Sequence, residues 1–124
     1  MGELIYKNEA FKIIGGCMEV HRELGKGHGE VIYKDALEIE FQRQGIAFKR
    51  EQEFKLAYKG VMLPHKYFAD FVVLDKIILE AKAIECLTDS HVKQTLNYLA
   101  VSKLKLGLLV NFGEDSLGYK RVVL

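Results

Sequence analysis

Between Asn8 and Leu24 the apolar positions Ala10, Phe11, Ile14, Cys17 and Met18, joined by His21, recur at helical spacing, and Asn8 stands where an N-cap belongs. This predicts a first helix that stops near Leu24-Gly25. Gly25, Gly27 and Gly29 make a corner, after which Val31, Tyr33, Ala36, Leu37 and Phe41 predict a second helix from about Glu30 to Gly45. From Phe48 the period changes to two. A strand runs to Tyr58, a turn falls at Lys59-Gly60, a second strand runs from about Val61 to Leu74 with an interruption near Pro64, and a third runs from Ile77 to Ala83. Thr88 or Ser90 caps a third helix over about Asp89 to Ser102, with Val92, Thr95, Leu96, Leu99 and Ala100 toward the sheet. Leu104 to Val110 reads as a buried strand, and Gly118 to Leu124 as a last one after a Gly113-Glu114-Asp115 turn. The order predicts an α/β sandwich: a mostly antiparallel meander, a crossover helix, then further strands in a mixed sheet.

One place on these strands carries charge that the apolar pattern does not explain. The run YFADFVVLDKIILEAKA sets Asp70 on the second strand and Glu80 and Lys82 on the third. A carboxylate or ammonium at the centre of a sheet is costly unless it is compensated. Two carboxylates, Asp70 and Glu80, can hold a hard cation such as Mg2+ through oxygen. Lys82, on the same face as Glu80, can orient water or neutralise charge developing on phosphorus. The chemistry that uses this set is phosphodiester hydrolysis. Register tests it. A two-residue turn at Asp75-Lys76 sets Asp70 opposite Ala81 and breaks the site, whereas a three-residue loop, Leu74-Asp75-Lys76, or a bulge aligns Asp70 with Glu80. The odd loop or bulge is expected.

An acid followed on the next strand by E-x-K resembles the active site of the PD-(D/E)xK nuclease superfamily, although Ala69, not Pro, precedes Asp70. Gly27-His28-Gly29-Glu30-Val31-Ile32-Tyr33 reads G-x-x-E-x-x-Y and resembles the signature of the small GxxExxY proteins, a branch of that superfamily. Gln94-Thr95-Leu96-Asn97-Tyr98 reads Q-x-x-x-Y. The resemblance implies a restriction-endonuclease-like α/β sandwich, core order α-β-β-β-α-β with an extra N-terminal helix, over residues 1–124 as a single nuclease-like domain. It implies Mg2+ or Mn2+ as cofactor, nucleic acid (DNA foremost) as partner, and catalytic roles for Asp70, Glu80, Lys82 and Glu30. Metal ligands by resemblance are Asp70, Glu80, Glu30 and the Ala81 carbonyl. Gln94, Tyr98 and Tyr33 are implied to position substrate. Each has a plainer reading beside it. Glu30 suits the first turn of a helix with no metal present, Gln94 and Tyr98 share a helix face as a core-boundary pair would, and Lys82 can simply neutralise Glu80.

Composition narrows these readings. Eighteen basic against seventeen acidic residues leave a net charge of +1, so no global field draws the chain to nucleic acid or membrane. Binding must come from a local patch, with Lys49, Arg50, Lys55, Lys59, Lys66, Lys26, His28 and Arg43 as candidates against an ordinary solvated surface. A chain of 124 residues has little surface to hold a duplex, so a homodimer is expected. Cys17 and Cys86 lack C-x-x-C spacing and read as buried thiols. With no apolar leader or membrane-length run, a reduced cytoplasmic location is the default. The histidines show no paired spacing, and there is no G-x-S-x-G or P-loop. The competing reading is a catalytically idle module of this fold that binds nucleic acid or a protein. An enzyme acting on another phosphate-containing substrate is a third.

Overall fold

The structure is a computed structural model and describes residues 4–124. Helices α1 (Lys7–Leu24) and α2 (Glu30–Gln44) precede strands β1 (Phe48–Tyr58), β2 (Val61–Val73) and β3 (Ile77–Lys82). Helix α3 (Asp89–Ser102) then leads to β4 (Leu106–Asn111) and β5 (Gly118–Val123). The five strands lie in sequence order in one sheet. Three neighbouring pairs are antiparallel and β3–β4 is parallel, with α3 as the crossover. The α/β sandwich with a mixed sheet is the expected architecture.

The central strands are buried along their length, which is why β4 reads as an unbroken apolar run rather than an alternating one. One face of the sheet packs Phe71, Val73, Ile77, Leu79, Leu108 and Val110 against α1 and α2, through Ile13, Cys17, Tyr33, Leu37 and Phe41. The other packs Ala69, Val72, Ile78, Leu109 and Val122 against Leu99 of α3. Gly107 lets α3 approach: a Cβ there would lie 2.6 Å from the Thr95 methyl.

Local details depart from the sequence pattern in instructive ways. Asn8 does not cap α1; the helix begins at Lys7 and its N-cap is Tyr6, in the left-handed region at φ 52°. Phe11 and Met18 are exposed, and Ile13, Gly16 and Val20 take their place in the core. Ala100 is exposed as well. Cys17 is buried, but Cys86 is exposed, because the segment after β3 leaves the sheet before reaching it. Thr88 is the N-cap of α3, its N–H donating to His91 Nδ1 at 3.0 Å. Pro64 leaves β2 continuous, yet the β1–β2 register shifts between Lys55 and Ala57, opposite the Pro64 segment, so the interruption is a bulge.

Candidate metal and nuclease site

The β2–β3 hairpin closes through Leu74, Asp75 and Lys76. Val73 pairs with Ile77, and the Lys76 N–H donates to the Val73 carbonyl at 3.1 Å. This three-residue loop carries the register onward to Phe71 opposite Leu79, so Asp70 comes level with Glu80, as the site requires. There the ladder stops. The backbone amides it leaves are taken up by side chains: Asp70 N–H donates to Glu80 Oε2 at 2.7 Å, and Ala81 N–H donates to Asp70 Oδ2 at 2.9 Å. The two carboxylates therefore sit in the fork where β2 and β3 part. The fork is marked on β2 by a break in alternation. Ala69 and Val72 face the α3 side while Phe71 and Val73 face α1 and α2, so the face changes once, at Asp70.

Glu80 is only 3% exposed. Burial, and then the neighbouring Asp70 charge, push its carboxyl up to about 8 against the pull of the Asp70 N–H and the Lys82 and Lys34 charges. Lys82 shares a strand face with Glu80 and makes no ion pair among the described residues. The other side of the pair is held by a residue that the sequence pattern did not single out. Lys34 of α2 places Nζ 3.3 Å from Asp70 Oδ1 and 2.8 Å from Glu51 Oε1 of β1. Burial opposes the charge on this ammonium, but the bonds to Glu51 and Asp70 outweigh it and raise its pKa. Glu51 has φ 52°, and the β1–β2 ladder passes over it and Asp70 together. Lys34 carried one readable signal, its position four residues after Glu30 on the same helix face.

The remaining sequence candidates divide. Tyr98 of α3 is half-buried against Tyr67, ring centroids 5.4 Å apart. Burial, then the Glu80 and Asp70 charges, push its hydroxyl up to about 12, so it stays a hydrogen-bond donor at neutral pH. Gln94 is exposed one turn earlier on the same helix. Glu30 is partly exposed in the first turn of α2 and makes no ion pair among the described residues. Tyr33 lies away from the carboxylates. It is fully buried, stacked on Phe112 at 4.5 Å, and its hydroxyl donates to the Gly25 carbonyl at 2.5 Å and accepts from His28 N–H at 3.3 Å. It thus pins the glycine corner from which α2 starts. Among the described residues, no group of three or more His, Cys, Asp or Glu stands together as a ready metal cage.

The donor chemistry nevertheless fits a hard divalent cation: two carboxylates meet at one point, and the buried like charges lack full compensation. The Ala81 carbonyl adds to this. Within a strand the N–H and C=O of one residue point to the same neighbour, and the Ala81 N–H points at Asp70. Beyond the ladder's end, that carbonyl faces the fork.

Half of the eight basic candidates are spent on neighbours. Lys49 pairs with Asp75, Arg50 with Asp35 and Glu38, Lys66 with Glu53, and Lys26 with Asp115. Lys55 and Lys59, exposed beside the β1–β2 turn, remain without an ion pair among the described residues.

This fold and fork define a nuclease-like class of domain, and comparison with known proteins agrees. A family model described as the PD-(D/E)XK nuclease superfamily matches residues 7–122, and the chain belongs to that superfamily. Among solved structures, the crystal structure of SSO0001 is similar at 17% sequence identity with a TM-score of 0.61. The match covers 95% of this chain and 59% of that one, so this chain spans less than two thirds of that protein's length. At this identity the likeness is one of fold. No curated protein matches the sequence. No helix among the described residues is long and apolar enough to cross a membrane.

Proposed function

We propose that the protein is a metal-dependent nuclease of the GxxExxY branch that hydrolyses phosphodiester bonds in DNA. One observation carries this reading: Asp70 and Glu80, ten residues apart in sequence, meet at the fork of β2 and β3 with each carboxylate held by the opposite strand's backbone. Asp70, Glu80 and the Ala81 carbonyl hold Mg2+ or Mn2+, with Glu30 assisting from α2. The ion supplies Lewis acidity and a hard counter-charge for the phosphodiester. Lys82, without an ion pair among the described residues, orients the attacking water and offsets charge developing on the phosphate. Tyr98 donates a hydrogen bond to the substrate and Gln94 positions it from the turn before. Tyr33 acts at one remove, by fixing the corner that aims α2 at the fork.

The reading extends to a cytoplasmic homodimer that presents two such sites. The exposed Phe11 and Met18 on α1 support self-association.

A second reading has one observation in its favour. Lys34 already compensates Asp70, as suits an idle module that binds nucleic acid or a protein without metal. Incubating the protein with single-stranded, duplex and branched DNA and with RNA, each with Mg2+, Mn2+ or chelator and beside Glu80→Ala, separates the two. Metal-dependent cleavage lost in the variant is the expected result. No cleavage in any condition, together with no metal uptake by calorimetry, supports the idle module.

A further inference from the structure

The carboxylate oxygens of Asp70 are not equivalent. Oδ2 accepts from the Ala81 backbone N–H at 2.9 Å, whereas Oδ1 accepts from no backbone group among the described residues and is the oxygen more open to a ligand. Oδ1 is the atom that Lys34 Nζ approaches at 3.3 Å. The same ammonium lies closer, at 2.8 Å, to Glu51 Oε1. The Lys34 side chain is only 15% exposed and Asp70 14%, whereas Glu51 is 48% exposed. A cation is thus bound at the inner end of the site by its weaker contact and at the outer end by its stronger one.

We propose that Lys34 is an internal counter-ion that occupies the open oxygen of Asp70 in the metal-free protein, that a divalent cation displaces it, and that Glu51 keeps it when it yields. The inference rests on the reading of Asp70 and Glu80 as metal ligands, and it adds a tuning pair to that site. Two cations cannot share one carboxylate oxygen without strong repulsion across a few ångströms of partly buried protein. Metal entry therefore costs the Lys34–Asp70 contact. Glu51 limits that cost, because the ammonium moves outward onto a partner it already holds. Lys34 is in this sense a positioning residue: without metal it holds Asp70 in place at the fork, and it sets the metal concentration at which the site fills.

The test is Mn2+ binding to the full chain, measured by calorimetry, for the wild type, Lys34→Met, Lys34→Arg and Glu51→Gln, with folding checked by circular dichroism. Lys34→Met is expected to bind Mn2+ about tenfold more tightly, since the competitor is gone. Lys34→Arg keeps the charge and stays near the wild type. Glu51→Gln is expected to bind Mn2+ more weakly, because Lys34 is left with Asp70 as its one carboxylate partner. A residue that merely braces the ligands gives the opposite sign for Lys34→Met, so unchanged or weaker binding in that variant overturns the proposal. Should Lys34→Met fail to fold, Lys34→Gln and the Glu51→Gln shift decide the matter by the same signs. Wild type and variants that all bind Mn2+ equally remove this inference alone. A wild type and variants that take up no Mn2+ remove the metal reading and this inference with it.

Discussion

Glu80 is only 3% exposed where it accepts from the Asp70 N–H, and that burial has a measurable signature. Its carboxyl is pushed from an ordinary 4.5 to about 8, first by burial and then by Asp70. The folded protein therefore keeps a proton that the unfolded chain has lost between those values. Stability of the metal-free protein is fully present below the lower value and falls as pH rises through the window. Urea denaturation in chelator from about pH 5 to about pH 8 should record this decline, and Glu80→Gln should flatten it. Lys82→Ala should abolish cleavage while leaving the protein folded, because Lys82 makes no ion pair among the described residues. Retained cleavage removes Lys82 from the mechanism. A third residue, Asn111, acts on the fold. Fully buried, it accepts from Ile84 N–H and Gly113 N–H and donates to the Ile84 carbonyl and Glu114, which fixes the chain's exit from β3 just after Lys82. Asn111→Ala leaves these groups unpaired and should cost about 3 kcal/mol in urea denaturation. Asp70, Glu80 and Lys82 were readable because charge on an apolar strand demands an explanation. Glu51 was not, and Lys34 only through its spacing from Glu30, because charges on an ordinary helix and an edge strand demand no explanation.

At the scale of elements, two turns decide the site. Leu74 and Asp75 both lie in the left-handed region, at φ 56° and 57°, the conformation of a tight hairpin turn that glycine adopts freely, Asp at a modest cost and Leu at a larger one. Asp75→Gly should therefore raise stability by about 1 kcal/mol, read as a higher thermal midpoint, since the exposed Lys49 contact it forfeits is worth little. The odd length of this loop followed from the demand that Asp70 meet Glu80. The β1–β2 turn gave no such handle. Continuing the Tyr58–Val61 register sets Glu51 opposite Phe68, and only the shift beside Pro64 brings it level with Asp70. A bulge moves every pair beyond it, and its size is set by packing rather than by the bulged residues alone.

At the scale of the molecule, α1 presents Phe11, 81% exposed, and Met18 to the outside, although both fit the apolar spacing of the helix. If that face joins two copies, sedimentation should find a dimer of the wild type and a monomer of Phe11→Glu, which places a charge where apolar contact is needed. Sequence by itself determined the element order, the mixed α/β class and the pair of acids, because hydrophobic period and a local charge anomaly are properties of short stretches. Tertiary structure alone decided which face of α1 is covered, that Tyr33 is committed to the glycine corner, and that Lys34 and Glu51 close on Asp70. Those outcomes depend on how far α2 lies over the sheet and how the β1 register slips, and both are settled by packing between segments distant in the chain.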